Sequence, residues 1–379
     1  MTIIVAPDSF KGNMSAQEAC AEIIAGIREA DPAINTISYP LADGGEGTAR
    51  IVTEATGGEL ISVKVRGPLG DTVIAAFGLI EGGKIAILDM ASASGIELVP
   101  PGKLNPLKAS TYGTGELIKA ALDAGARELV IGIGGSATVD GGIGMLQALG
   151  FEILDDTGKP VGEGGEVLLK ISEIRTEKAD PRLKEVTIKV ASDVTNPLTG
   201  PEGAAAVFGP QKGATPDMVP LLDQGLSRLG QAWIKAGLAA DTDHPGDGAA
   251  GGLGAALRIC LGASIESGAF LVMQYTGMMK ALKYADLVIT GEGRTDSQTS
   301  HGKLCAVVSR VCKEAGVPVA LLSGALAGDL NQVLSLFDYA VSISIGEDSL
   351  DKMIQNGPRN LRFAAANLVR ALKIGKALG

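Results

Sequence analysis

The chain is poor in the side chains that most readily betray a function. Aromatics make up 3% of its 379 residues, with one Trp, five Tyr and seven Phe. It therefore offers no platform of rings for stacking nucleic-acid bases. Histidine occurs twice, at His244 and His301, too little for a histidine-based zinc site or a Ser-His-Asp triad. The four cysteines, Cys20, Cys260, Cys305 and Cys312, are scattered without a C-x-x-C pair and read as buried free thiols. Positive charge is short as well: 33 Lys and Arg against 43 Asp and Glu leave a net charge of −10. With no dense basic tract, a general nucleic-acid binder is excluded. No apolar run approaches the ~18 residues of a membrane span. The first strand begins at Thr2 with no basic and apolar leader before it, so the expectation is a cytoplasmic protein without a membrane partner.

What is abundant is glycine, 53 residues of it, with no period of three and hence no collagen. The apolar residues are mostly Ala, Ile, Leu and Val in short runs, the pattern of buried parallel strands alternating with helices. The length favours two domains. Residues 2–6 and 34–39 read as strands around a helix over 15–30. Ser15 and Glu18 form a capping box there, and Cys20, Ile23, Ile24 and Ile27 form the apolar stripe. Residues 60–66, 72–80 and 84–90 alternate and are joined by turn signals, so they read as antiparallel. Strands are expected again at 128–133, 186–191, 286–290, 318–323 and 339–345. Helices are expected at 113–124, 216–236, 248–261, 303–315 and 358–378. Residues 155–181 are polar and read as surface. Because the parallel pattern sits at both chain ends, the expected architecture is discontinuous. An open parallel, Rossmann-like α/β domain is built from 1–59 and 280–379, and a mixed α/β domain from 60–279 is inserted, with an active site in the cleft between them.

Glycine–carboxylate clusters follow or join these elements: 6–12 (APDSFKG), 42–48 (ADGGEGT), 134–142 (GGSATVDGG), 192–197 (SDVTNP) and 290–296 (TGEGRTD). Glycine lets backbone N–H groups approach an anion, and a neighbouring carboxylate holds Mg²⁺ or accepts a proton. No segment fits G-x-x-x-x-G-K-[ST], and Gly132-Ile133-Gly134-Gly135 lacks the last glycine of the dinucleotide fingerprint. What remains is phosphoryl transfer without a P-loop, which needs Mg²⁺, cations on the moving phosphate and a carboxylate near the attacking hydroxyl. Lys11, beside Asp8, Ser9 and Gly12, suits an anion; Lys212, Arg294 and Lys303 are further local cations.

On these clusters, together with STYGTGEL at 110–117 and FGPQKGA at 208–214, the chain resembles the bacterial glycerate kinases of the first type over almost its whole length. The resemblance implies a two-domain α/β fold of that family's own kind. It also implies ATP and Mg²⁺ as requirements and phosphorylation of D-glycerate, usually to 2-phosphoglycerate. The alternatives are a glycerate 3-kinase, another nucleotide-dependent enzyme, or a small-acid binding protein. A monomer or homodimer is expected. The residues expected to carry catalysis are Lys11, Asp193, Asp296 and Arg294. Asp8, Ser9, Lys11, Gly12 and Arg294 are expected on the substrate, and Gly44, Gly45, Glu46, Gly134, Gly135, Ser136 and Asn196 on the nucleotide. Asp43 and Asp193 are the expected metal ligands. Several have structural alternatives. Arg294 pairs with Glu292, Ser136 and Thr138 cap the helix that follows, and Asp43 and Asp193 serve turns or caps.

Overall fold

The computed structural model describes residues 1–242, 244–296, 304–346 and 349–378; His301 and Lys303 lie outside the described residues. The chain divides into two compact units, Met1–Asp43 with Ala269–Gly379, and Gly44–Gly268.

The first unit opens with β1 (Thr2–Val5), α1 (Ala16–Ala30) and β2 (Asn35–Ser38). The start of α1 is set by the capping box: the Glu18 N–H donates to Ser15 Oγ at 3.2 Å, and the Ser15 N–H donates to Glu18 Oε2 at 2.8 Å. Two backbone donors that a helix leaves open are thereby satisfied. The buried stripe of α1, with Cys20, Ile23 and Ile27, faces the core.

In the second unit, α2 (Thr48–Thr56) leads to β3 (Glu59–Arg66), β4 (Thr72–Ile80), β5 (Ile85–Asp89), β6 (Glu128–Gly132), β7 (Glu152–Leu154), β8 (Glu173–Arg175), β9 (Thr187–Ala191) and β10 (Ser264–Glu266). The main sheet runs β10-β9-β6-β5-β4-β3. β3, β4 and β5 are antiparallel, as their alternation predicts, whereas β5, β6, β9 and β10 are parallel. Asp89, Gly132, Ala191 and Glu266 are successive partners across the carboxyl ends of those four strands. The loops that follow them therefore leave the sheet side by side.

The chain then returns to the first unit with β11 (Leu287–Glu292), β12 (Val319–Ser323) and β13 (Tyr339–Ser342), giving an all-parallel sheet in the order β13-β12-β11-β1-β2. Its core gathers Ile3, Val5, Ile23, Ile289, Leu322 and Leu361. Each such side chain contributes ~1.5–3 kcal/mol on full burial.

Two expectations need correction. Residues 155–181 are not simply surface: Val161, Val167, Leu168, Ile171 and Ile174 are buried in the second core, and β8 pairs with β7. These apolar residues are spaced by short 3₁₀ turns and follow no single period. Secondly, Ala250, Gly251 and Gly252 all have left-handed φ, between 52° and 93°, so the segment Ala249–Leu261 becomes regular helix only from Leu253. A Cβ on Gly251 would stand 2.1 Å from the Thr138 carbonyl oxygen; the chain turns there to let two backbones touch. All four cysteines are free. Among the described residues no helix is long and apolar enough to cross a membrane.

Candidate active site

In the first unit β1 lies between β2 and β11, so the chain changes direction across the sheet at the β1/β11 boundary. In open α/β sheets the crevice at such a boundary, at the carboxyl ends of the strands, is where ligands bind. The loop after β1 stays laced to β11, with the Ala6 N–H on the Ile289 oxygen and the Asp8 N–H on the Gly291 oxygen, both at 2.8 Å. This lacing brings Asp8, Ser9 and Lys11 to the edge where β11 delivers Glu292. Burial pushes the Asp8 carboxyl up to about 6, and the negative charges of Asp43 and Glu292 add to it. The Ser9 N–H, 2.6 Å from Asp8 Oδ1, and the Lys11 ammonium work against that rise. Lys11, Asp43 and Glu292 thus lie close enough for their charges to act on Asp8.

Glu292 is 8% exposed and is anchored by Thr295, whose hydroxyl lies 2.8 Å from Glu292 Oε1 and 2.9 Å from Ser323 Oγ. Arg294 is exposed and pairs with Asp296 at 3.6 Å. Asp8, Asp43 and Glu292 offer hard oxygen donors. Among the described residues no group of three His, Cys, Asp or Glu side chains could hold a metal alone. Mg²⁺ is commonly held by one or two carboxylates together with substrate phosphates, and the residues present fit that mode.

The second unit holds the other expected site residues. Gly44, Gly45, Gly132 and Gly134 meet backbone to backbone: the Gly134 N–H donates to the Gly44 oxygen at 3.3 Å. A Cβ on Gly132 would stand 2.5 Å from that same oxygen. Close approach of two loops therefore requires glycine here, whatever else the loops bind. Glu46 is exposed. Asp193 is half-buried in the loop after β9, and the Asn196 side-chain amide donates to the Glu202 oxygen at 2.8 Å.

Several buried charged groups of this unit are absent from the expected site residues, among them Asp89, Asp140 and Lys212, the last expected only as a local cation. Asp89 closes β5 at 5% exposure and accepts the N–H groups of Gly47 (2.9 Å) and Ala49 (3.1 Å) at the start of α2. A native carboxylate therefore occupies the helix N-terminus that a phosphate would otherwise favour. Burial pushes Asp89 up to about 7 against those two donors, and Glu46 adds to the rise. Asp140 is fully buried and collects the Thr111 N–H and hydroxyl, both at 2.8 Å, and the N–H groups of Gly142 and Gly144. Lys212, 2% exposed, donates to Ser136 Oγ at 2.6 Å and to the Thr138 oxygen at 2.8 Å. Burial pushes its ammonium down to about 7, and the charge of Asp140 opposes that fall. Ser136 is thus tied to a buried cation. For Asp89 the available signal was a carboxylate ending an otherwise apolar strand; Lys212 is expected from the sequence only as a local cation.

An open α/β sheet whose strand-end loops gather Lys11 beside Asp8, Asp43 and Glu292 has the architecture of enzymes that act on small molecules. The comparisons narrow the class. The sequence profile of the glycerate kinase family matches residues 3–373. The glycerate kinase of Bacillus subtilis (strain 168) is 46% identical over 379 residues, covering 100% of this chain and 99% of the relative. The glycerate 2-kinase of Escherichia coli (strain K12) is 45% identical over 377 residues, covering 99% of each. A crystal structure from Salmonella typhimurium LT2, provisionally described as glycerate kinase 2, superposes with a TM-score of 0.88 at 44% identity, covering 100% of this chain and 99% of that one. The chain belongs to the glycerate kinase family, and it is an enzyme of the kinase class.

Proposed function

We propose that this chain transfers the terminal phosphoryl group of ATP to the 2-hydroxyl of D-glycerate, releasing ADP and 2-phosphoglycerate. The observation that carries the reading is the meeting of Lys11 with Asp8, Asp43 and Glu292 at the β1/β11 boundary. It supplies a cation for a phosphate or carboxylate beside oxygen donors for Mg²⁺. The name of the Escherichia coli relative, glycerate 2-kinase, supports the 2-hydroxyl.

The roles follow from chemistry. Lys11, with Ser9 and Gly12, holds an anionic oxygen of the glycerate carboxylate or of the transferring phosphate. Asp43 and Asp193 are the proposed Mg²⁺ ligands, and bound Mg²⁺ neutralises charge on the nucleotide phosphates. A carboxylate, Asp193 or Asp8, accepts the hydroxyl proton as the new P–O bond forms and the bond to ADP breaks. Arg294 and Asp296 border the transferring group, and Gly44, Gly45, Glu46, Gly134, Gly135, Ser136 and Asn196 serve the phosphates of the nucleotide. We assign the chain to a Rossmann-like domain, 1–59 with 280–379, and an inserted domain, 60–279, in a cytoplasmic protein. ADP release coupled to D-glycerate, followed by phosphorus NMR of the product, tests the reading. A resonance of 3-phosphoglycerate moves the attack to the adjacent hydroxyl, and no glycerate-dependent ADP removes the reading altogether.

A further inference from the structure

The loops that follow β1, β11, β12 and β13 enclose a cavity whose occupant the roles above do not name. It has a volume of about 120 Å³, and its wall includes Lys11, Gly293, Ala325 and Ser344, one from each of those loops. Phe10, Ile343, Met353 and Ile354 supply apolar surface to it. A second cavity of about 340 Å³, lined by Ile345, Asn356, Arg359 and Phe363, shares Asn360 with the first. That volume falls within the ~300–1,000 Å³ of ligand pockets, which join mostly apolar walls to a few placed polar groups.

Three features point to one kind of occupant. Asn360 is only 9% exposed and walls both cavities, yet no hydrogen bond to its side-chain amide is found among the described residues. Both its donor and its acceptor stay open to a ligand edge. Secondly, Ile345, Leu350 and Phe363 are 55%, 72% and 51% exposed around the two cavities, and a concentration of exposed large apolar side chains marks a binding surface. Thirdly, Lys11 joins the smaller cavity to the carboxylate cluster of Asp8, Asp43 and Glu292. A flat apolar ring with polar edges matches the walls and Asn360, and an anion matches Lys11. A three-carbon hydroxy acid has almost no apolar surface to set against Phe10, Met353 and Ile354.

We propose that the nucleobase and ribose of the nucleoside triphosphate bind in this pocket of the first unit, at the carboxyl ends of β1, β11, β12 and β13, with the phosphates directed to Lys11. The proposal rests on the reading of the chain as a nucleotide-dependent kinase.

The test is ADP binding by calorimetric titration, alongside the KM values for ATP and D-glycerate. Ile354→Trp fills the cavity and should weaken ADP at least tenfold and raise the KM for ATP in step, while the KM for D-glycerate stays within twofold. Asn360→Ala removes a polar tip at little cost to packing. It should lower the preference for ATP over GTP at least fivefold, and it carries the test if the tryptophan variant does not fold by circular dichroism. Unchanged ADP affinity in folded variants, or a KM increase confined to D-glycerate, overturns the pocket assignment. Failure of the kinase reading is separate: the parent protein would then release no ADP with D-glycerate, whatever the titration finds.

Discussion

Replacing Lys212 by methionine should leave the protein folded and nearly inactive. The substitution keeps an unbranched stem of similar volume and removes the ammonium that donates to Ser136 Oγ and to the Thr138 oxygen at 2.6 and 2.8 Å. Two hydrogen bonds from a charged donor contribute ~3–6 kcal/mol together. Against this stands the cost of burying the charge. Its pKa falls from 10.5 to about 7, and at ~1.4 kcal/mol per unit the penalty reaches ~5 kcal/mol as an upper bound. The two nearly cancel, so urea unfolding should detect a net change within ~2 kcal/mol, as for other buried charges replaced by apolar isosteres. Function should respond differently. The loop from Gly134 to Thr138 loses both ties, and a misplacement of ~1 Å in a reacting assembly costs ~10²-fold in rate. We expect kcat/KM, measured by ADP release, to fall by ~10² or more. A loss above ~4 kcal/mol with full activity in the folded fraction would make Lys212 a scaffold residue only. Wild-type values for both quantities would remove its importance altogether.

Other perturbations address the remaining groups. Lys11→Ala should lower kcat/KM by ~10²-fold, ~2.7 kcal/mol of transition-state stabilisation; unchanged kinetics in a folded variant would leave it a solvated loop lysine. Asp43→Asn should raise the Mg²⁺ concentration for half-maximal activity; a fall in kcat at constant Mg²⁺ dependence would instead assign the residue to proton transfer or hydroxyl orientation. Gly324→Ala sets a Cβ 2.2 Å from the Gly293 carbonyl oxygen, and the forced backbone shift should cost ~1–3 kcal/mol in thermal unfolding; a wild-type midpoint would show that the β11 and β12 loops separate freely. Asp89, raised from 3.8 to about 7, binds its proton more tightly folded than unfolded. Its contribution is therefore complete below pH ~4 and is lost as pH rises to ~7, a change of up to a few kcal/mol. Asp89→Asn should flatten that segment of the stability–pH curve, and an unaltered slope would place the titration elsewhere.

Where a local rule sufficed, the sequence was legible. Ser15 and Glu18 announce α1, because both halves of a capping box lie within four residues. The strand–turn junction after β1 exposes Asp8 and Lys11 as an edge pair for the same reason. β11 was harder to delimit. It continues past residue 290 through Gly291 to Glu292, and a glycine in a strand ordinarily weakens it. Here the glycine is required, since a Cβ on Gly291 would stand 2.4 Å from the Leu322 oxygen of β12. That demand comes from the neighbouring strand, which sequence periodicity does not see.

The same distance in sequence explains which site groups stayed hidden. Asp89 acts on N–H groups 42 and 40 residues away, and Lys212 on atoms 76 and 74 residues away. Neither residue has a local partner that would reveal its role. Asp89 becomes meaningful only when the parallel register stacks Asp89, Gly132 and Ala191 at one edge, and Lys212, expected as a local cation, is found buried on Ser136 and Thr138. That register brings the glycine loops at 44–45 and 132–134 into backbone contact. Loops packed so closely have little side-chain volume of their own and depend on buried donors and acceptors from other segments to fix them: Asp89 under the start of α2, and Lys212 beneath Ser136. Glycine-rich loops that bind a phosphorylated ligand need such supports, because glycine supplies close approach without rigidity. The close contact of these loops was therefore legible from their glycines, whereas the groups that hold them still emerged only from the fold.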